Sequence, residues 1–173
     1  MSDASDLSQM TVSEFLKRLD AAWGALQTFI ESRTAEQLTV PTDAAGWTVK
    51  DHLIHLVVWE DGINALLEGE DRRGRMGVDE ATWVSRDFDA INSVIQQQNR
   101  ERSLADVLDA LNRTHAIFRQ HVAAMSDADL QRPYKDFAPA SDNVQPIIGW
   151  LEGDSFAHYE EHIPWMQAIS DRA

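Results

Sequence analysis

The sequence predicts an all-α fold, a four-helix bundle with one short accessory helix, and three observations indicate it. Apolar residues recur at helical spacing along almost the whole chain. The alternation of apolar, β-branched and polar residues that strands need is missing. Paired capping residues mark three helix starts: Thr11 with Glu14, Thr48 with Asp51, and Ser103 with Asp106. A bundle of this kind buries one face of each helix and places ligand sites between facing helices.

The first two long helices follow directly from their capping residues. An apolar stripe carries the first helix from its Thr11 cap to about Arg33. The second helix runs from Thr48 to Leu67, before Gly69, a residue type that commonly ends helices. Both helices have one continuous apolar face, so we expect both to pack into the bundle.

The remaining helices lie in the second half of the chain. The segment EDRRGRMGV, residues 70–78, has charges and two glycines without periodicity, so it predicts an irregular connection. We expect the accessory helix over residues 87–100 and the third long helix from Ser103 to about residue 125. Three prolines between positions 133 and 146 predict a further irregular stretch, after which residues 147–169 form the last long helix.

Length and composition limit the possible functions. A chain of 173 residues suffices for one domain with a sizeable core, so we expect a single domain over residues 1–173. The excess of 29 acidic over 15 basic residues gives a net charge of −14. This charge repels phosphate backbones and anionic lipids, so neither nucleic acid nor membrane is an expected partner.

The cysteine content and the amino terminus indicate where the protein works. The chain has no cysteine, which excludes disulfides, thiolate ligands and a cysteine nucleophile. The initial MSDASDLSQM lacks the basic start and apolar run of a signal peptide, and no stretch approaches 18 apolar residues. We therefore expect a cytoplasmic protein.

His158 and His162 form the strongest candidate functional pair. They lie four residues apart in FAHYEEH, so on a helix both imidazoles leave the same face. That face carries the apolar stripe and also includes Asp154 and Trp165. Buried imidazoles need partners for both ring nitrogens, which favours metal binding or catalysis over a structural role. A zincin-type metalloprotease is not supported, because Tyr159 stands where that motif needs glutamate.

A third ligand could come from the second helix. His52 and His55 both lie there, and periodicity alone does not choose between them. Gly62 shares a face with His55 and would leave room beside that imidazole. Glu60 lies in the same apolar arc, which predicts a paired carboxylate, a ligand, or a catalytic acid with a raised pKa.

Two further histidines lie in the third helix. His115 and His121 are six residues apart, about 120° in angle, so they do not easily converge on one point. We expect each of them to be structural or exposed.

The segment GWTVKDHLIHLVVWE, together with HYEEH in the last helix, resembles the DinB-like superfamily. Within it, the chain is most similar to the ClbS/DfsB branch, over about residues 11–170. The resemblance implies a four-helix bundle in a variant of up-and-down topology, commonly a homodimer, with a divalent metal held by three histidines. The positions that match the family's ligands are His55, His158 and His162, so the resemblance favours His55 over His52.

The resemblance also leads to three hypotheses of function. Three neutral imidazoles with an open fourth position are typical of catalytic zinc or nickel sites. Some relatives transfer low-molecular-weight thiols, which predicts a metal-dependent transferase or hydrolase acting on a small electrophile, in detoxification or resistance. The nearest branch includes a resistance protein that opens a cyclopropane without a clear need for metal, so a metal-independent hydrolase with Glu60 or a histidine as base is the alternative. A non-catalytic bundle that binds small molecules is the third hypothesis.

Overall fold

The computed structural model describes residues 7–172, and the regular secondary structure in this part of the chain is helical, with no strand. The α-helices are α1 (Val12–Glu31), α2 (Ala35–Thr39), α3 (Val49–Leu67), α4 (Arg72–Arg75), α5 (Glu80–Ser85), α6 (Phe88–Asn99), α7 (Leu104–Ala123), α8 (Asp127–Leu130), α9 (Ile148–Gly153) and α10 (Phe156–Ser170). The bundle is built from α1, α3, α7 and the pair α9 and α10, and α6 is the accessory helix. The all-α bundle predicted from the sequence is confirmed.

The predicted helix starts are confirmed at all three capping residues. Thr11 and Thr48 each form a complete capping box. The threonine side chain accepts a hydrogen bond from the backbone N–H three residues later, and the acidic side chain of that residue accepts one from the threonine backbone N–H. The side chain of Ser103 accepts a hydrogen bond from the backbone N–H of Asp106. These local contacts fix where the long helices begin, and so fix the phase of their buried faces.

The prediction of one continuous last helix is wrong. The helix is interrupted at Asp154 and Ser155, where the Ser155 backbone has φ −131° and ψ −107°. The hydroxyl of Ser155 donates to the carbonyl of Leu151 at 2.5 Å, and the carboxylate of Asp154 is held by Arg72. These side-chain contacts compete with the regular helical hydrogen bonds, as serine and aspartate commonly do.

The buried face of α10 differs slightly from the predicted one. Tyr159, His162 and Met166 are fully buried or nearly so, whereas Trp165 is 49% exposed. The face that meets the bundle is therefore centred nearer Tyr159, and His158 lies at its partly buried edge. This rotation leaves Trp165 at the rim of the site.

The connection after α3 also has more structure than its sequence predicts, since residues 72–75 form α4. Gly62 allows this connection to pack closely on α3. A Cβ at Gly62 would lie 2.8 Å from Sδ of Met76 and 3.3 Å from Cγ of Arg72. The space is thus taken by Met76, and the expectation that Gly62 leaves room beside His55 is wrong.

The centre of the core is α3, and most of its residues are buried. It packs against α7, α10 and α6, while α1 packs against α10 and α7. Because α3 is surrounded on several sides, its polar residues must find partners inside the bundle. Among residues 7–172, no helix is both long and apolar enough to cross a membrane.

Candidate metal centre

His55, His158 and His162 converge where α3 packs against α10. One ring nitrogen of each lies within 4.8 Å of the others. The Nε2 atoms of His55 and His158 are 3.0 Å apart. Two nitrogens bound to a tetrahedral zinc ion at about 2.0–2.1 Å lie roughly 3.3 Å apart, so this contact is close to the spacing that such an ion requires.

His52 is a fourth imidazole beside this group. Its Nδ1 lies 3.0 Å from Nδ1 of His162, while its ring is 5.1 Å from that of His162 between centroids. His52 therefore contacts the group through His162, and it does not belong to the three histidines that could hold one metal ion together. Periodicity could not separate His52 from His55, because both side chains lie on the buried side of α3.

Burial keeps the three imidazoles neutral. It lowers the pKa of His158 to about 4, and together with the neighbouring imidazole of His158 it lowers the pKa of His162 to about 2. Burial also lowers the pKa of His55 well below its ordinary value, with His158 contributing next. Neutral imidazole is the form that binds a metal, so the group has the protonation state of a ligand set at neutral pH.

The hydrogen bonding of His55 and His158 is incomplete within the described residues. Their Nδ1 atoms are buried without a hydrogen-bond partner, and their Nε2 atoms face each other. Only one proton can lie between the two Nε2 atoms, which leaves one buried Nδ1 as a bare acceptor and the other as an unused donor. A cation could instead take both Nε2 lone pairs, so the donor set fits a divalent metal.

Two tryptophans border the group. Trp47, in the loop before α3, has its ring 5.3 Å from that of His52 and 5.7 Å from that of His55. The half-exposed Trp165 lies 4.8 Å from the ring of His162. The surroundings of the histidine group are therefore partly aromatic.

Glu60 belongs to a second buried polar group, formed with Tyr159 and His115. The Tyr159 hydroxyl bonds to Oε1 of Glu60 and lies 3.2 Å from Nδ1 of His115. Trp23 stacks on His115 with ring centroids 3.8 Å apart. Glu60 is fully buried, and burial raises its pKa although both neighbours favour the charged form. Of the three predictions for this residue, the structure thus supports a paired acid with a raised pKa.

The composition of this second group was not predicted from the sequence. His115 was expected to be structural or exposed, and it is buried. From the sequence, Tyr159 was notable only as the residue that stands where a zincin motif needs glutamate. No local sequence pattern pointed to its role, because its partners Glu60 and His115 lie on α3 and α7.

A groove of about 1300 Å³ lies beside the histidine group. Trp59 lines it, and the ring of Trp59 is also 6.1 Å from His55 and 6.4 Å from His158 between centroids. The indole N–H of Trp59 donates to Oδ1 of Asn92 at 3.1 Å, which fixes the ring. Other aromatic residues along the groove are Trp83, Phe88, Tyr134, Phe137 and Trp150.

An ion pair between Arg72 and Asp154 lines the groove. Arg72 donates to Asp154 at 2.6 Å, and its guanidinium lies over Trp59 and Trp83 at 5.5 and 5.7 Å from the ring centroids. Burial raises the pKa of Asp154, while Arg72 opposes the shift. Asp154 lies at the break just before α10, so the ion pair connects the groove wall to the start of that helix.

The fold and the histidine group define a helical bundle with a candidate metal site between two of its long helices. The chain belongs to the DinB superfamily, whose family model matches residues 18–162.

Two solved structures share this fold. An uncharacterised protein from Escherichia coli UTI89 superposes with a TM-score of 0.73 at 13% identity, covering 94% of both chains. A protein from Streptococcus pneumoniae superposes with a TM-score of 0.70 at 13% identity, covering 92% of both chains. No curated protein matches the sequence. At this level of identity the likeness concerns the fold alone.

Proposed function

We propose that this DinB superfamily protein belongs to the ClbS/DfsB branch and is a metal-dependent transferase or hydrolase, acting on a small electrophilic molecule in detoxification or resistance. The observation that carries the proposal is the convergence of His55, His158 and His162 within 4.8 Å. Three neutral imidazoles from two packed helices form a rigid donor set, and the remaining position of a tetrahedral ion would be open to a ligand.

In this proposal the three histidines hold a zinc or nickel ion. When bound, such an ion lowers the pKa of a coordinated water or thiol and polarises an electrophile. The protein keeps the imidazoles neutral by burial, and the rings of Trp47 and Trp165 make their surroundings partly aromatic. Neutral imidazoles favour metal binding at neutral pH.

We assign substrate binding to the aromatic groove. Its volume of about 1300 Å³ exceeds the roughly 300–1,000 Å³ of common small-molecule pockets, so it has room for a drug-sized molecule. Trp59 borders both the groove and the histidine group, so it is the residue beside which the reactive end of the substrate would lie.

A metal-independent hydrolase with Glu60 as general base is the second candidate. Among the described residues, Oε2 of Glu60 has no hydrogen-bond partner, and the carboxyl pKa is raised, as a general base requires. A base must however reach its substrate, and Glu60 is fully buried behind Tyr159. This burial favours the metal-dependent candidate.

Metal analysis of protein purified without a histidine tag tests the proposal. We expect about one zinc or nickel ion per chain, and loss of most of it in His158→Ala and His162→Ala, because each change removes one donor. His121→Ala is the matched control, since His121 lies on α7 near Glu68 and outside the group. Background metal content in the unaltered protein after incubation with zinc and nickel would contradict the proposal.

The homodimer implied by the family resemblance is part of the proposal. Light scattering across micromolar concentrations tests it, and a mass corresponding to one chain would contradict it.

A further inference from the structure

His52 lies between a candidate ligand and a carboxylate. Its Nδ1 is 3.0 Å from Nδ1 of His162, and its Nε2 is 3.6 Å from Oδ2 of Asp43. The second distance is too long for a strong hydrogen bond, so the carboxylate acts on Nε2 mainly as a nearby negative charge. Within residues 7–172 this buried Nε2 has no hydrogen-bond partner, so Asp43 is its main polar neighbour.

The contact between His52 and His162 allows two proton arrangements. A neutral imidazole carries one proton, so one Nδ1 must donate and the other must accept. If His52 donates, its Nε2 faces the Asp43 carboxylate with a lone pair, and two negative regions oppose each other. If His162 donates, Nε2 of His52 carries a proton that the carboxylate attracts. The carboxylate therefore favours the second arrangement.

The second arrangement also prepares His162 to bind a metal. With the proton on Nδ1, the lone pair of His162 is on Nε2 and is available to an ion. In the first arrangement Nε2 carries the proton, and Nδ1 accepts from His52, so neither nitrogen can bind a metal without a rearrangement.

We propose that Asp43 and His52 are positioning residues that fix the tautomer and ring orientation of His162, so that its Nε2 is the metal-binding atom. The inference rests on the proposed function for its metal, but the tautomer can be measured without one. Metal-binding histidines commonly donate their other ring N–H to a partner of this kind.

The loop before α3 holds Asp43 in place for this role. Oδ1 of Asp43 accepts hydrogen bonds from the backbone N–H groups of Ala45 and Trp47 at 2.8 and 2.9 Å. The backbone N–H of Asp43 donates to the carbonyl of Trp47 at 2.9 Å. One carboxylate oxygen thus closes the loop, and the other is directed towards His52.

Because the two oxygens of Asp43 have different contacts, a substitution can change the contact with His52 and keep the contacts with the loop. Asp43→Asn retains an oxygen for the two loop N–H groups, and it replaces the oxygen facing His52 by an amide that donates. The amide disfavours a proton on Nε2 of His52, and so favours the tautomer of His162 that cannot bind through Nε2. His52→Gln removes the imidazole partner altogether. Asp43→Asn should fold, because asparagine keeps the side-chain shape and the oxygen that closes the loop.

Zinc affinity, measured by competition with a chromophoric chelator, is the first readout. We expect a loss of about 10- to 100-fold in Asp43→Asn and in His52→Gln, as is typical when the partner of a ligand is removed. His121→Gln is the control, because Nε2 of His121 lies 3.7 Å from Glu68 in a similar pair outside the group. Affinity unchanged in both test variants, with zinc bound by the unaltered protein, would overturn the inference.

The second readout is the tautomer itself, from long-range ¹⁵N–¹H spectra of the histidine rings in chelator-treated protein. We expect the proton of His162 on Nδ1 and that of His52 on Nε2, with a shift towards the opposite tautomers in Asp43→Asn. The opposite tautomers in the unaltered protein would overturn the inference. If the expected tautomers occur but the unaltered protein binds no zinc or nickel, the proposed function fails while the positioning role stands.

Discussion

Two buried polar groups lie between α3 and α10, and they differ in how far they satisfy themselves. The Glu60 group joins an acid, the Tyr159 hydroxyl and the His115 imidazole in one connected set, although Oε2 of Glu60 has no hydrogen-bond partner among the described residues. In the histidine group, Nδ1 of His55 and Nδ1 of His158 find no hydrogen-bond partner within residues 7–172. A polar group that is already connected stabilises the fold directly, whereas one with facing lone pairs gains from a bound cation. The same helix pair thus carries one connected polar group and one histidine group whose nitrogens fit a cation.

The largest expected effect separating the two groups is stabilisation by metal. A ligand that binds the folded state alone, at 100 times its Kd, adds about 2.7 kcal/mol to the free energy of unfolding. For a chain of this size that corresponds to a rise in Tm of about 5–10 °C. We expect differential scanning fluorimetry to show this rise with zinc or nickel in the unaltered protein, and to show none in His162→Ala.

Tyr159→Phe is the matched control for this measurement, because it alters the neighbouring polar group and leaves the three imidazoles in place. It should show the same metal-induced rise as the unaltered protein. If the rise disappeared in Tyr159→Phe as well, the two groups would have to be regarded as one unit.

The sequence predicted the histidine group better than the Glu60 group, and the reason is local geometry. The pairing of His158 with His162 needs only the pitch of one helix, which spacing specifies. The choice of His55 over His52 depends on the rotation of α3 against α10, and only the family resemblance indicated it. The bond between Tyr159 and Glu60 joins residues 99 positions apart, so no local pattern could predict it.

The break between α9 and α10 was missed for a related reason. Apolar spacing continues across Asp154 and Ser155, so periodicity predicts an unbroken helix. The contact that holds Asp154 out of a regular helix comes from Arg72, which lies in a segment without periodicity. Side-chain partners from distant segments decide such breaks, whereas capping pairs decide the helix starts.

A smaller effect is expected from breaking the connected group itself. Tyr159→Phe removes one hydroxyl and leaves Oε1 of Glu60 and Nδ1 of His115 without that partner. Loss of a buried hydrogen-bonded group costs about 1–3 kcal/mol, so we expect urea unfolding of chelator-treated protein to show a decrease of this size. A decrease in the free energy of unfolding below about 0.5 kcal/mol would mean that the contacts of the Tyr159 hydroxyl contribute little to stability, contrary to the usual cost of an unsatisfied buried group.

The smallest expected effect is the pH dependence that Glu60 contributes. Burial raises the pKa of Glu60 above the 4.5 expected for an unfolded chain. Below that value the side chain is protonated in both states, and its contribution to stability is fully present. As the pH rises, the unfolded chain releases the proton first, so stability falls until the pH passes the pKa of the folded state.

Glu60→Gln isolates this contribution, because glutamine has nearly the same shape and does not titrate. The free energy of unfolding of the unaltered protein, relative to this variant, should fall as the pH rises above about 4.5, by at most about 1.4 kcal/mol per pH unit. Urea unfolding at several pH values, in chelator so that bound metal does not contribute, measures the difference. Parallel curves for the two proteins would mean that Glu60 is ionised in the folded state. The link with Tyr159 would then be a charged hydrogen bond, and the contrast with the neutral histidine group would be one of charge as well as of bonding.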